Sequence, residues 1–180
     1  ILYDKNMIYY KQFHLDSFDI IKHKSQQYFQ TWTSLPVGFT LLNKEQFFII
    51  CPELETDLRK YDIGIKNIGV YITYTQEQSK VHIDYINPNW NQCRLNIPIL
   101  NTEGSTTEFY TGGNYEKIIQ NNGLSYLESI DDSAIKVDEI ELIKPTILRI
   151  QSPHRVNTNT TTVPRICLTI FTNKDMVSFF

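Results

Sequence analysis

From Ile68 onward the chain is cut into short runs of β-branched and aromatic residues, separated by clusters of Asn, Gly, Asp and Pro. That texture builds short strands rather than long helices. Strands are expected at 68–75, 79–86, 93–100, 106–111, 138–143, 146–151 and 163–172. Three of them alternate with a period of two, which places every second side chain on one face. In 79–86, Val81, Ile83 and Tyr85 share one face and Lys80, His82 and Asp84 the other. In 93–99, Cys93, Leu95, Ile97 and Ile99 oppose Arg94, Asn96 and Pro98. In 163–171, Ile166, Leu168 and Ile170 oppose Arg165, Cys167 and Thr169. Each strand has an apolar face that needs a cover and a polar face. On a one-sided sheet the polar faces meet water. Curled into a barrel or jelly roll, they converge on a polar interior of the kind in which such folds build sites.

The first third reads as helical. Phe18, Ile21, Ser25, Tyr28 and Phe29 recur at three- and four-residue steps, with Asp16 or Ser17 as a cap and an end near Ser34-Leu35-Pro36. Lys44 to Leu58 allows a second helical stretch, interrupted by Pro52. These helices can cover the apolar strand faces. Residues 111–125 contain Gly112-Gly113-Asn114 and Asn121-Asn122-Gly123 and read as loop with room for one short helix. The fold class expected is α+β, mostly β. It is read as a single domain over 1–180, with a helical layer at 1–60 over a strand core at 68–172.

Composition narrows the function classes. The net charge is −3 and the pI about 5.8, so no basic face marks a nucleic-acid binder, although a local basic groove stays open. No apolar run reaches about 18 residues, and no membrane span is expected. Residues 1–10 lack a basic stretch followed by an apolar one, so no signal peptide is expected. Cys51, Cys93 and Cys167 are far apart with no CxxC pair. They read as reduced thiols of a cytoplasmic protein rather than a zinc site or a disulfide framework.

His82-Ile83-Asp84 puts an imidazole and a carboxylate on one face of one strand, roughly 7 Å apart at the backbone. Both can reach one metal at about 2 Å per ligand atom. The chain has four histidines, His14, His23, His82 and His154. His154 opens the strand-like stretch His154-Arg155-Val156-Asn157 and is the natural third ligand. Two histidines and one carboxylate on one face of an octahedron, with the other face open, is the ligand set of non-haem Fe(II) oxygenases. A second His-x-Asp, His14-Leu15-Asp16, sits beside the first helix without a strand pattern; His14 and His23 read as surface histidines.

Taken together, His82-Ile83-Asp84, Cys93-Arg94-Leu95-Asn96-Ile97-Pro98-Ile99, His154-Arg155-Val156-Asn157 and Arg165-Ile166-Cys167-Leu168-Thr169-Ile170 resemble the 2-oxoglutarate/Fe(II)-dependent oxygenases. Within them, the pattern is most similar to the aspartyl/asparaginyl β-hydroxylase-like branch, which includes free-proline hydroxylases. The resemblance covers about 68–172. It implies a double-stranded β-helix, or jelly roll, with the N-terminal helices packed on one sheet. It implies Fe(II) held by His82, Asp84 and His154, and 2-oxoglutarate gripped at its far carboxylate by Arg165, whose planar fork suits a carboxylate. Asn96 and Arg94 share a polar face at a second cofactor position. Arg94 contacts cofactor or substrate, or pairs with a carboxylate in the wall. Tyr71 or Tyr74, on the strand before, could donate a hydroxyl to the cofactor.

The activity implied is hydroxylation of a small amino acid or a peptidyl side chain by molecular oxygen, with decarboxylation of 2-oxoglutarate to succinate. Lining loops at 101–107 and 111–125 would choose the substrate. Two other classes stay open: a cupin-like metalloenzyme without 2-oxoglutarate, disfavoured by the low histidine count, and a non-catalytic jelly-roll binding module.

Overall fold

The computed structural model describes residues 7–73, 79–84, 93–119, 125–158, 164–174 and 177–179. Twelve strands form two six-stranded sheets. The first runs β1 (Tyr10–Gln12), β10 (Thr146–Arg149), β5 (Cys93–Leu100), β12 (Arg165–Thr172), β3 (Ile65–Thr73), β2 (Gly38–Leu41). The second runs β7 (Tyr115–Ile119), β8 (Ser125–Ser129), β4 (His82–Ile83), β11 (His154–Asn157), β6 (Thr106–Thr111), β9 (Ile135–Glu141). Every neighbouring pair is antiparallel.

Three helices, α1 (Phe18–Gln30), α2 (Lys44–Ile50) and α3 (Pro52–Lys60), cover the outer face of the first sheet. Leu95, Ile97, Ile68, Val70, Ile166, Leu168 and Ile170 project from β5, β3 and β12 into one buried cluster with Ile21, Phe29, Phe47, Leu54 and Leu58. Alternation explains the choice of face, since the polar residues between them on the same strands turn to the interior. A second cluster lies between the sheets. Leu148 and Cys167 from the first meet Phe109 and Ile140 from the second, and Tyr9 stacks on Phe109 with centroids 5.2 Å apart.

Local chemistry fixes the helix ends. Asn43 caps α2, its side-chain oxygen accepting from the Gln46 N–H at 2.9 Å. Pro52 occupies the first turn of α3, where a missing N–H is harmless, so it divides the 44–58 stretch into two helices. Ser17 stands at the N-cap position of α1 but its side chain makes no capping bond. Its backbone N–H instead donates to the buried Asp57 Oδ2 at 2.7 Å, which ties α1 to α3.

Pro98 sits inside a central strand, where it cannot donate to the ladder. The register answers with a bulge: Ile166 pairs with Leu100 and Cys167 with Pro98, leaving Ile99 as the extra residue. The Ile99 carbonyl accepts from Gln26 Nε2 of α1 at 2.7 Å. Gly69 has a similar local purpose. A Cβ there would lie 2.2 Å from the Phe39 ring, so glycine is what lets Phe39 lie across β3.

Several expectations change. The strands at 93–100 and 106–111 match, while 68–75 begins earlier, at Ile65. The 138–143 strand shifts back to Ile135–Glu141 and 146–151 shortens to Thr146–Arg149. Within 79–86 only His82–Ile83 pair as strand, and 85–86 lie outside the described residues, Tyr85 with them. The first third is not only a helical layer, because β1 and β2 join the first sheet from it. The first helix ends at Gln30, before Ser34-Leu35-Pro36. The 111–125 loop contains a strand, β7, and β8 begins at its end. The helices pack on one sheet, as expected, with α1 against β5; the apolar face of β4, where Ile83 is buried, belongs to the other sheet and is not one that they cover. No helix among the described residues is long and apolar enough to cross a membrane.

Phe47 is fully buried between the helices and the first sheet. Phe47→Ala is expected to cost about 3–5 kcal/mol of unfolding free energy, measured by urea denaturation of the parent and variant.

Candidate metal and cofactor site

The inward faces of the two sheets enclose a cavity of about 300 Å3. The second sheet supplies His82 and Asp84 from β4 and its end, His154 and Val156 from β11, Thr107 from β6, and Tyr126 and Glu128 from β8. The first sheet supplies Arg94 and Asn96 from β5, Arg165, Cys167, Thr169 and Phe171 from β12, and Tyr71 from β3.

His82, Asp84 and His154 each offer a ligand atom within 4.8 Å of the others. The convergence follows from the backbone. His82 and His154 are direct cross-strand partners between β4 and β11, so their rings share a face, with centroids 4.5 Å apart. Asp84, two residues on, turns the same way, with Oδ1 3.6 Å from His82 Nε2. The Asp84 N–H donates to the Ile150 carbonyl at 3.2 Å. Both rings are oriented from behind: Nδ1 of His82 lies 2.9 Å from the Lys80 carbonyl, and Nδ1 of His154 lies 2.9 Å from the Ser152 carbonyl. A carbonyl only accepts, so in an uncharged ring at either position Nδ1 carries the proton and Nε2 presents the lone pair.

Burial, reinforced by the field of His82, lowers the pKa of His154 to about 4, against weaker pulls from Asp84 and the Ser152 carbonyl. At neutral pH this imidazole is uncharged, the form that binds metal.

Arg165 faces this wall from the first strand position of β12. It is 2% exposed, and its Nε–H has no hydrogen-bond acceptor among the described residues. Thr107, across the cavity on β6, also buries a hydroxyl with no partner among the described residues. Buried polar groups are ordinarily satisfied, so this set of donors calls for an anionic, oxygen-rich ligand. The donors present therefore fit both a divalent metal and a small carboxylate.

The remaining candidates are placed as follows. Arg94 is buried, its guanidinium 4.0 Å from the Phe171 ring centroid and one N–H donating to the Cys93 carbonyl at 3.0 Å. Burial pushes its pKa down while Asp84 pulls it up. Asn96 lines the cavity, with its oxygen accepting from Thr169 at 3.0 Å. Tyr71 lines the cavity beside Cys167. Tyr74 lies outside the described residues. The His14-Leu15-Asp16 motif is elsewhere and exposed, its imidazole 3.1 Å from Asp16. Cys51, Cys93 and Cys167 are free and buried.

Tyr126 and Glu128 were not anticipated from the sequence. Residues 125–129, Ser-Tyr-Leu-Glu-Ser, carry no alternation of polar and apolar side chains and do not stand out beside the Asn- and Gly-rich stretch before them. The Tyr126 hydroxyl donates to Glu128 at 2.9 Å and its ring meets His82 edge-on, with centroids 6.1 Å apart. Behind the wall, Glu108 accepts from the Arg155 Nε–H and the Tyr110 hydroxyl, each at 2.6 Å. Burial alone would raise this carboxyl; the donors Tyr110, Arg155 and Lys136 outweigh it and hold the pKa at about 2.

No protein-family model matches the chain, and no curated protein matches its sequence. Among solved structures it is similar to EvdMO1, with a TM-score of 0.54 and 13% identity over 92% of this chain. The chain spans 47% of the length of EvdMO1, and the likeness is one of fold. Two further structures are more distantly similar. One is E. coli ycfD, with a TM-score of 0.44 and 10% identity, covering 80% of this chain and 36% of that one. The other is the viral collagen prolyl hydroxylase vCPH from Paramecium Bursaria Chlorella virus-1 in its 2OG complex, with a TM-score of 0.43 and 12% identity, covering 92% of this chain and 96% of that one.

An unfolded histidine titrates near pH 6.5, whereas His154 in the fold titrates at about 4. Between those values the unfolded chain binds the extra proton, so stability falls as pH drops. Urea midpoints of the metal-free protein should decline from pH 6.5 to 4, and the decline should be shallower in His154→Asn.

Proposed function

We propose that this chain is an Fe(II)- and 2-oxoglutarate-dependent oxygenase on a double-stranded β-helix, hydroxylating an amino acid or a peptidyl side chain. The observation that carries the reading is the pairing of two walls: His82, Asp84 and His154 converge on one, and a buried arginine with an unused N–H stands on the other. The similarity of strand arrangement to EvdMO1 supports the fold alone. The His-x-Asp, Arg94–Asn96, His154–Asn157 and Arg165 pattern supports the aspartyl/asparaginyl β-hydroxylase-like branch. Free, buried cysteines suit a cytoplasmic setting.

In this reading His82, Asp84 and His154 would hold the metal. Arg165 would hold the far carboxylate of 2-oxoglutarate, to which a planar guanidinium is suited, with the Thr107 hydroxyl as a further donor. Bound there, the metal and 2-oxoglutarate supply dioxygen activation and C–H hydroxylation, with succinate and carbon dioxide as co-products. The protein's own residues position and shield. The Lys80 and Ser152 carbonyls fix the two imidazole tautomers. Phe109, Leu148 and Ile150 keep the floor dry, which strengthens charge interactions above it. Arg94, stacked on Phe171, balances the Asp84 charge.

The test is an anaerobic titration of metal-free protein with Fe(II) and then 2-oxoglutarate, following the visible charge-transfer band of the chelate. The parent should develop the band. His82→Ala should lose it, and Arg165→Ala should need about tenfold or more additional cofactor, as expected when a charge-assisted bidentate contact is removed. Iron binding without a band would favour a metalloenzyme that does not use 2-oxoglutarate. No iron binding at all would leave a non-catalytic binding module.

A further inference from the structure

The first sheet lines the cavity with two guanidiniums, Arg94 and Arg165, and the second with two carboxylates, Asp84 and Glu128, and one ammonium, Lys80. Asp84 belongs to the His82–His154 cluster; Glu128 does not. It is the cross-strand partner of His82, which sets its Cβ about 5 Å from that of a candidate ligand and on the same face. Glu128 is thus within reach of whatever occupies the open side of the metal wall.

Two donors engage its carboxylate: the Tyr126 hydroxyl on Oε2 at 2.9 Å and the Lys80 ammonium on Oε1 at 2.9 Å. They differ in kind. Tyr126 is rigid, part-buried and packed edge-on to His82. Lys80 is a flexible side chain with 66% of its surface in water, and ion pairs of that sort are weak and easily exchanged. Tyr71 and Phe39 line the same cavity from the first sheet, and aromatic faces favour a cation over a neutral group. A carboxylate steadied by one tyrosine and paired with a largely exposed ammonium, in a cavity that aromatic rings also line, has the chemistry of an amine receptor.

We propose that Glu128 receives a protonated amine of the substrate, and that Lys80 is an internal stand-in for that amine, displaced when substrate binds. Tyr126 acts as the positioning residue, holding the carboxylate beside His82. The opposite wall, with its two arginines, repels an amine and so orients the substrate. The antiparallel pair of β7 and β8, which among the described residues joins the second sheet through β4, is then the element that sets specificity. The proposal rests on the oxygenase reading for what happens to the substrate afterwards, but the binding step needs neither iron nor oxygen.

The test is an NMR titration of the whole chain, loaded with zinc, using n-butylammonium chloride and its neutral isostere 1-butanol. The parent should prefer the ammonium by about tenfold, the margin of one charge-assisted contact. Glu128→Gln keeps the shape and removes the charge, and should erase that preference. Lys80→Ala removes the competitor, and should tighten ammonium binding about threefold, the scale of an exposed ion pair. A structural role for the pair predicts no such tightening. Equal binding of both probes by the parent, an undiminished preference in Glu128→Gln, or unchanged or weaker ammonium binding in Lys80→Ala overturns the proposal. Thermal melts confirm that each variant is folded; should Glu128→Gln fail to fold, the sign of the Lys80→Ala effect decides. The iron–2-oxoglutarate band, measured in parallel, keeps the two readings apart. A band without amine preference sinks the amine receptor alone, and amine preference without a band sinks the oxygenase alone.

Discussion

Along β12, Ile166, Leu168 and Ile170 enter the helical layer while Arg165, Cys167, Thr169 and Phe171 point between the sheets. A slip of one residue would exchange the two sets. It would drive a guanidinium into an apolar core and expose leucine and isoleucine to a polar cavity. Neither error is tolerable, so burial on the helical side enforces the position of Arg165 on the other. The same holds for β5, where Leu95 and Ile97 anchor the outer core and Arg94 and Asn96 line the cavity. The bulge at Ile99 lets a proline sit between these strands, and the bond from Gln26 to the Ile99 carbonyl secures it.

The second sheet is built on a different economy. Its strands are shorter, β4 has two residues, and much of its order comes from polar contacts. Glu108 and Arg155 are cross-strand partners joined at 2.6 Å on the reverse of the wall that carries His154. The buried Glu108 carboxylate draws its charge compensation from Arg155 on β11 together with Tyr110 and Lys136, so the pair steadies β11 against β6. The rings of His82 and His154 are held by backbone carbonyls rather than by side chains. Their orientation therefore depends on the fold itself, and not on a rotamer choice elsewhere.

How much was legible follows from these differences. The strand at 93–100 could be read because Cys93, Leu95, Ile97 and Ile99 alternate with Arg94, Asn96 and Pro98, and that at 106–111 because Thr106, Thr107, Phe109 and Tyr110 are β-branched or aromatic, although the fold buries both faces of each. The His82–Asp84 pair could be read because two-residue spacing has a direct geometric meaning. The edge strands β1, β2 and β7 could not, since each buries little and Tyr-Lys-Gln or Tyr-Glu-Lys-Ile-Ile carries no period. Glu128 and Tyr126 were illegible for a further reason. Their place beside His82 is set by pairing across a long sequence separation, which local pattern does not encode. Asn96 was assigned to the right surface, but its bond to Thr169 depends on which strand lies alongside.

Among the described residues the register between β4 and β11 is a single pair, and that pair is His82 with His154. Besides it the two segments share the bonds between Ser79 and Val156, with a long span of chain between them. An ion shared by both rings would therefore be a cross-link as much as a reactive centre. By closing that span it would remove conformations from the unfolded chain and stitch the weakest seam of the second sheet, so that loading the site and completing the fold would be one event.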